Sequence, residues 1–228
     1  MSSRPIIVGY DGSVGARAAA RWALDEGART AQPVRLAYAF DWVTGGAWIQ
    51  PAPAVWPDEV ARRDVQTLVD AAVADAAKTH PGVEVSGVVL DGPAVVRLQE
   101  HSRHAAALVL GSRGHGGFGA LLVGSTAVSL AAHAHCPVVV VRGRPPAPDQ
   151  APRHIVVGVD GSPCAQLALG YAFEQAADRH VPLHVVRAWA PPAAQWRPAD
   201  FDPAKITAAE RSALAQALVP WQEKYPDV

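Results

Sequence analysis

At 228 residues with a formal net charge of −1, the chain carries no electrostatic case for binding nucleic acid or an anionic membrane. Half of it is apolar, enough for a buried core, yet no apolar run approaches the roughly 20 residues of a membrane-spanning helix. Its two cysteines, Cys136 and Cys164, are too few for a disulfide framework or a structural zinc site. The N-terminus enters a strand without a signal-peptide pattern, so the reading is a cytoplasmic protein.

Pro5–Tyr10 reads as a first buried strand, ending at Asp11-Gly12-Ser13, where Asp or Ser can cap the next helix. Ala16–Arg29 places Ala19, Trp22, Ala23 and Glu26 at helical spacing, and Pro33–Phe40 is a second strand. Asp41–Pro57 is long for a connection inside a domain; its Trp42, Trp48 and Trp56 either cover a ligand or fasten the loop to the core. Asp58–Thr79 predicts an amphipathic helix with Val60, Val65, Leu68, Ala72 and Val73 on one side. Val83–Leu90 alternates as a third strand, Gly92-Pro93 is a turn, and Ala94–His101 a helix.

The stretch Ala105–Arg142 carries the plainest chemistry. Ala105–Leu110 is a short unbroken apolar run, as expected of a strand buried on both faces of a parallel sheet. Gly111, Gly114, Gly116, Gly117 and Gly119 follow, then Gly124, Ser125 and Thr126 at the start of an alanine-rich helix. The free N–H groups of a helix start and the positive end of its dipole suit an anion. Pro137 and the run Val138–Val141 close the segment as a fifth strand, read as doubly buried. Strand and helix alternate throughout, so the fold class is α/β, an open and largely parallel five-stranded sheet with helices on both faces.

The glycines form a phosphate cradle, and their spacing distinguishes among known types. A P-loop needs Lys before the Ser or Thr, and Val123-Gly124-Ser125 has none. Gly114, Gly116 and Gly119 fit G-x-G-x-x-G, but no acid lies about 20 residues on to hold a ribose. Gly111, two residues, Gly114, nine residues, Gly124 and Ser125 fit best: this G-x2-G-x9-G-[ST] pattern resembles the ATP-binding signature of the universal stress protein family. His135-Cys136-Pro137 ahead of the closing strand is similar to that family as well.

Gly143–Pro152, with Pro145, Pro146, Pro148 and Pro152, reads as a semi-rigid linker. The chain then repeats itself at an offset of 149 residues: His154–Ser162 mirrors Pro5–Ser13, placing Asp160 on Asp11, Ala165 on Ala16, Pro182 on Pro33 and Ala188 on Ala39. Two copies of one strand–helix–strand unit indicate tandem domains, and the resemblance therefore spans nearly the whole chain. The expected layout is a complete domain over 1–143, a linker over 144–153, and a partial second domain over 154–228 without a glycine loop. That second copy is not expected to bind a nucleotide as the first does.

The resemblance implies a cytoplasmic ATP-binding regulator of the stress response. Gly111, Gly114, Gly124, Ser125 and Thr126 would line the phosphates; Asp11 would face the nucleoside, its bland alternative being a helix cap; the Ala39 backbone would meet the adenine. Gly92-Pro93 stands at the same rim. Arg113 and His115 either pair with phosphate or are solvated. The implied cofactor is ATP, with or without Mg2+. The implied partners are a regulatory protein and a second copy joined through Val138–Val141. A slow ATP hydrolase and a nucleotide-free scaffold are the alternatives. No HExxH, GxSxG or paired Cys-x-x-Cys marks an enzyme. Cys136 reads as packing, and His101 and His104 as surface residues.

Overall fold

The computed structural model describes residues 3–41, 59–114, 123–142, 154–190 and 201–228. The chain divides into two compact units, Met1–Pro145 and Pro146–Val228. The linker, the three tryptophans at 42, 48 and 56, and the glycines at 116, 117 and 119 lie outside the described residues.

The first unit runs β1 (Ile6–Gly9), α1 (Val14–Thr30), β2 (Val34–Phe40), α2 (Glu59–Thr79), β3 (Val85–Asp91), α3 (Ala94–Ser102), β4 (Ala107–Gly111), α4 (Ser125–His133) and β5 (Val138–Val141). Its five strands pair in parallel in the order β3-β2-β1-β4-β5. Each crossover carries a helix. Alanines let α1 sit close on one face, where Ala16, Ala19, Ala20 and Ala23 join Ile6, Val8 and Leu36, with Ala76 of α2 beside them. On the other face Leu98 of α3 and Leu130 of α4 cover Ile7, Leu108 and Leu110. The central strands are buried on both sides, as their unbroken apolar runs require.

Two expectations need correction. Val138–Val141 is only half-buried, because β5 is an edge strand with one neighbour; an apolar run alone does not separate an edge from a centre. On α2 the buried stripe is centred on Val69 and Ala76, with Ala72 and Val73 packed beside them, whereas Val60 and Leu68 are exposed. Val69 packs against Gly87, where a Cβ would lie 2.4 Å from Val69 Cγ1, so β3 and α2 meet closely there.

The second unit contains β6 (Ile155–Gly158), α5 (Pro163–Arg179), β7 (Leu183–Val186) and α6 (Pro203–Lys224). The sequence repeat is reproduced in detail. β6 and β7 pair in the register of β1 and β2 shifted by the same offset, Ile155 on Leu183 as Ile6 on Val34. Ser13 and Ser162 each cap a helix by accepting an amide three residues on, both at 3.1 Å. Ala31 and His180 both end their helices in the left-handed conformation at φ 53°.

What differs is the cover. Val156 is 57% exposed where its counterpart Ile7 is 2%, and Val186 is 50% exposed where Ala37 is 2%. The core lies on the α5 side alone: Val157, Leu169, Ala172 and Phe173, with Leu218, Trp221 and Tyr225 packed against them. Trp221 stacks on Phe173 at 5.7 Å, and Arg187, just after β7, pairs with Glu210 of α6 at 2.7 Å. Because a two-stranded sheet is marginal by itself, α6 is expected to depend on Trp221. Trp221→Ala should cost about 2 kcal/mol, somewhat below a fully buried truncation, and abolish slow amide exchange in α6. Unchanged protection there would refute this.

No helix among the described residues is long and apolar enough to cross a membrane.

Candidate functional site

The strand order reverses between β1 and β4, the place where open α/β sheets form a crevice beyond their carboxyl ends. A cleft of about 630 Å³ opens there, within the usual volume of a small-molecule site. Asp11, Ala39, Gly111, Gly114, Gly124, Ser125 and Thr126, from three separate stretches of sequence, all line it, and so does Arg113. His115 lies outside the described residues. Of the Gly92-Pro93 rim, the next residue, Ala94, lines the cleft.

The turn after β1 aims the acid. Gly12 takes φ 79°, a conformation that favours glycine, and so swings the chain from strand into α1. The Ser13 amide donates to Asp11 Oδ1 at 2.9 Å. A Cβ on Gly114 would lie 2.6 Å from Asp11 Oδ2, so the second carboxylate oxygen rests against the glycine loop. Asp160 makes the same turn, with the Ser162 amide at 2.8 Å, but is solvent-exposed; its hydrogen bonds to Ser162 hold its carboxyl below the usual range.

Backbone contact sets the end of β4. A Cβ on Gly111 would lie 2.5 Å from the Gly15 carbonyl carbon, and one on Gly15 would lie 2.4 Å from the Arg113 oxygen. Ser112 then ties the loop together. Its amide donates to the Val141 carbonyl and its carbonyl accepts from the Gly124 amide, both at 2.9 Å. This bond brings the first and third glycines of the motif to one place.

The start of α4 differs from those of α1 and α5. Its N-cap is Gly124, which offers no side chain to the first-turn amides, whereas Ser13 and Ser162 cap theirs. Gly124, Ser125, Thr126 and Ala127 line the cleft, so uncapped amides and the helix dipole are available to an anion. A nucleotide phosphate tail fits this end. Toward β2 the cleft is lined by Ala37 and Ala39, and Leu98 and Leu110 add apolar side chains beside Gly9 of β1.

Sequence reasoning missed Leu98, Tyr10 and Asp41, which also line the cleft. Asp41 directly follows β2, and no alternation marks it in the sequence, since Tyr38 and Phe40 line the cleft along with Ala37 and Ala39. Burial raises the Tyr10 phenol above its usual range, and Arg17 partly offsets this, so Tyr10 stays protonated at neutral pH. Cys136 packs against the α3/α4 side of the core with its thiol pushed up by burial, which makes it less nucleophilic. No group of three or more His, Cys, Asp or Glu that could hold a metal ion occurs among the described residues.

Comparison with known proteins places this geometry. The profile of the universal stress protein family matches residues 2–142 and 152–228. The universal stress protein Rv2623 of Mycobacterium tuberculosis is 33% identical over 235 residues, covering 100% of this chain and 77% of the relative. The universal stress protein Rv1996 of the same organism is 34% identical over 250 residues, covering 98% and 76%. The crystal structure of a universal stress protein from Archaeoglobus fulgidus superposes with a TM-score of 0.61 at 16% identity, covering 95% of this chain and 76% of that one.

Proposed function

The chain belongs to the universal stress protein family, and from that premise we propose that its first unit binds ATP and acts as a nucleotide-responsive regulator in the cytoplasm. The observation that carries the reading is the convergence of Asp11, the glycine loop and the uncapped start of α4 on one cleft. The phosphates lie against Gly114 and the amides of Gly124–Thr126, with Arg113 as an added cation. Asp11 accepts from the ribose, and the Ala39 backbone meets the adenine. Mg2+, where present, rides on the phosphates. Binding of ATP shifts the population of the site toward a surface that a protein partner recognises.

The complete domain over 1–143 is the nucleotide module and the partial domain over 154–228 a nucleotide-free one. In support, Val186 stands where Ala37 opens the cleft, and Asp160 is exposed. The half-buried edge strand β5 joins two copies; a light-scattering mass of a single chain at micromolar concentration would count against that.

The primary test is nucleotide content. Protein purified gently and then denatured should release adenine nucleotide at about one per chain on anion-exchange chromatography. No release, together with no uptake of added ATP, overturns the reading. Phosphate release at background while ATP stays bound is the expected sign of a binding protein rather than a hydrolase.

A further inference from the structure

We propose that Gly15 is a positioning residue for the nucleotide site: having no side chain, it seats the Arg113 carbonyl against α1 and so fixes where Arg113 and Gly114 meet the phosphates; this rests on the ATP-binding reading above. A Cβ on Gly15 would lie 2.4 Å from the Arg113 oxygen and 3.5 Å from its carbonyl carbon, so the Arg113 peptide occupies the place of a side chain. The next residue meets Asp11, since a Cβ on Gly114 would lie 2.6 Å from Asp11 Oδ2. Arg113 and Gly114 are thus held by the first turn of α1 and by the acid that follows β1, and both line the cleft.

Nothing in the helix itself calls for glycine at this place. Gly15 is the second residue of α1, and its backbone does not take a positive φ. Glycine is a poor helix former, so its presence there points to a need outside the helix. The repeat is the control: α5 opens with the same serine cap, made by Ser162, and carries Cys164 at the corresponding position. A β-carbon is therefore compatible with this helix start, and the crossing of Arg113 is what excludes it in the first unit. Gly15 also differs from Gly111. A Cβ on Gly111 presses on the backbone of a helix, whereas one on Gly15 presses on a residue two places beyond the end of β4. Arg113 and Gly114 can give way there while the sheet stays in place, and the phosphate contacts are what move.

The test compares G15A with wild type as full chains, by ATP titration calorimetry, thermal melting without ligand, and magnetic resonance of ATP at saturation. G15A should melt cooperatively within about 5 °C of wild type, because alanine is also the better helix former. Its dissociation constant for ATP should rise at least about tenfold, in keeping with the loss that a small misplacement causes. The phosphorus resonances of bound ATP should move, while the adenine H2 and H8 proton resonances hold. An ATP affinity within about twofold of wild type overturns the inference. So does a weaker affinity with the phosphorus resonances unmoved, or with the adenine protons moving as well, since Gly15 would then act on packing in general. Loss of cooperative melting would class Gly15 with Gly111 as a residue of the fold and overturn it too. Failure of the wild type to bind ATP overturns the ATP reading itself, and this inference with it.

Discussion

Gly111→Ala is expected to destabilise the first unit by about 3 kcal/mol, lowering its melting temperature by on the order of 10 °C. Gly124→Ala should melt close to wild type and yet bind ATP at least about tenfold more weakly. The motif presents both as equivalent glycines, but the structure separates them. A Cβ on Gly111 would lie 2.5 Å from the Gly15 carbon, 2.7 Å from its oxygen and 2.9 Å from the Ala16 nitrogen. All three are backbone atoms of α1, so no side chain can yield; β4 must leave its helix. Both faces of β4 are in the core, with Leu108 and Val109 at 0% exposure, so the displacement spreads. Among the described residues a Cβ on Gly124 meets only the Ser112 oxygen, at an ordinary 3.5 Å. There alanine costs about 1 kcal/mol or less as an N-cap, and its methyl group intrudes where a phosphate would approach. Differential scanning calorimetry alongside ATP titration reads both effects. Equal loss of stability in the two variants would contradict the division.

Gly114 falls between these cases. Its Cβ would strike the end of the Asp11 side chain rather than backbone, so G114A should shift the carboxylate without unfolding the unit.

Much of the fold is legible because burial leaves strong marks. A parallel strand covered on both faces must be apolar at every position, and Ile6–Val8 and Ala107–Leu110 are. The start of α1 is announced by Ser13 and that of α5 by its repeat Ser162, each capping through its own side chain. What stays hidden depends on neighbours. The four valines of β5 read as central because composition does not count strands, and the buried side of α2 was misplaced because Leu68 and Val69 are both apolar and adjacent. The site follows the same division. Its anion end is local in sequence, since glycine spacing and a helix start share one stretch. Its apolar lining is assembled by topology: Leu98 enters only because α3 lies over β1 and β2. Asp41, a single acid just past a strand, gives no signal until the end of β2 is seen to line a cleft.

The repeat supplies its own control for the largest effect on binding. Asp11→Ala is expected to weaken ATP binding by about 10- to 100-fold, the range for a hydrogen bond to a charged group. Asp160→Ala should leave affinity unchanged, although the two acids make the same turn, accepting from Ser13 and Ser162 at 2.9 and 2.8 Å. If Asp11 were only a turn residue, the two substitutions would act alike, each loosening a helix start. The surroundings predict otherwise: Asp11 lines the cleft against Gly114, and Asp160 faces water. The turn contribution can be isolated at Asp160 through its pH dependence. Hydrogen bonds from Ser162 lower its carboxyl in the folded state, with Arg187 adding a smaller favourable effect. Its stabilisation is therefore complete above the unfolded aspartate value of about 3.9 and lost as pH falls through the lower folded value. The D160A penalty should be present at pH 7 and disappear in strong acid. Should D11A bind ATP as tightly as D160A does, Asp11 is a cap and no more, and the nucleoside must be held by Ala39 and the apolar side chains of the cleft alone.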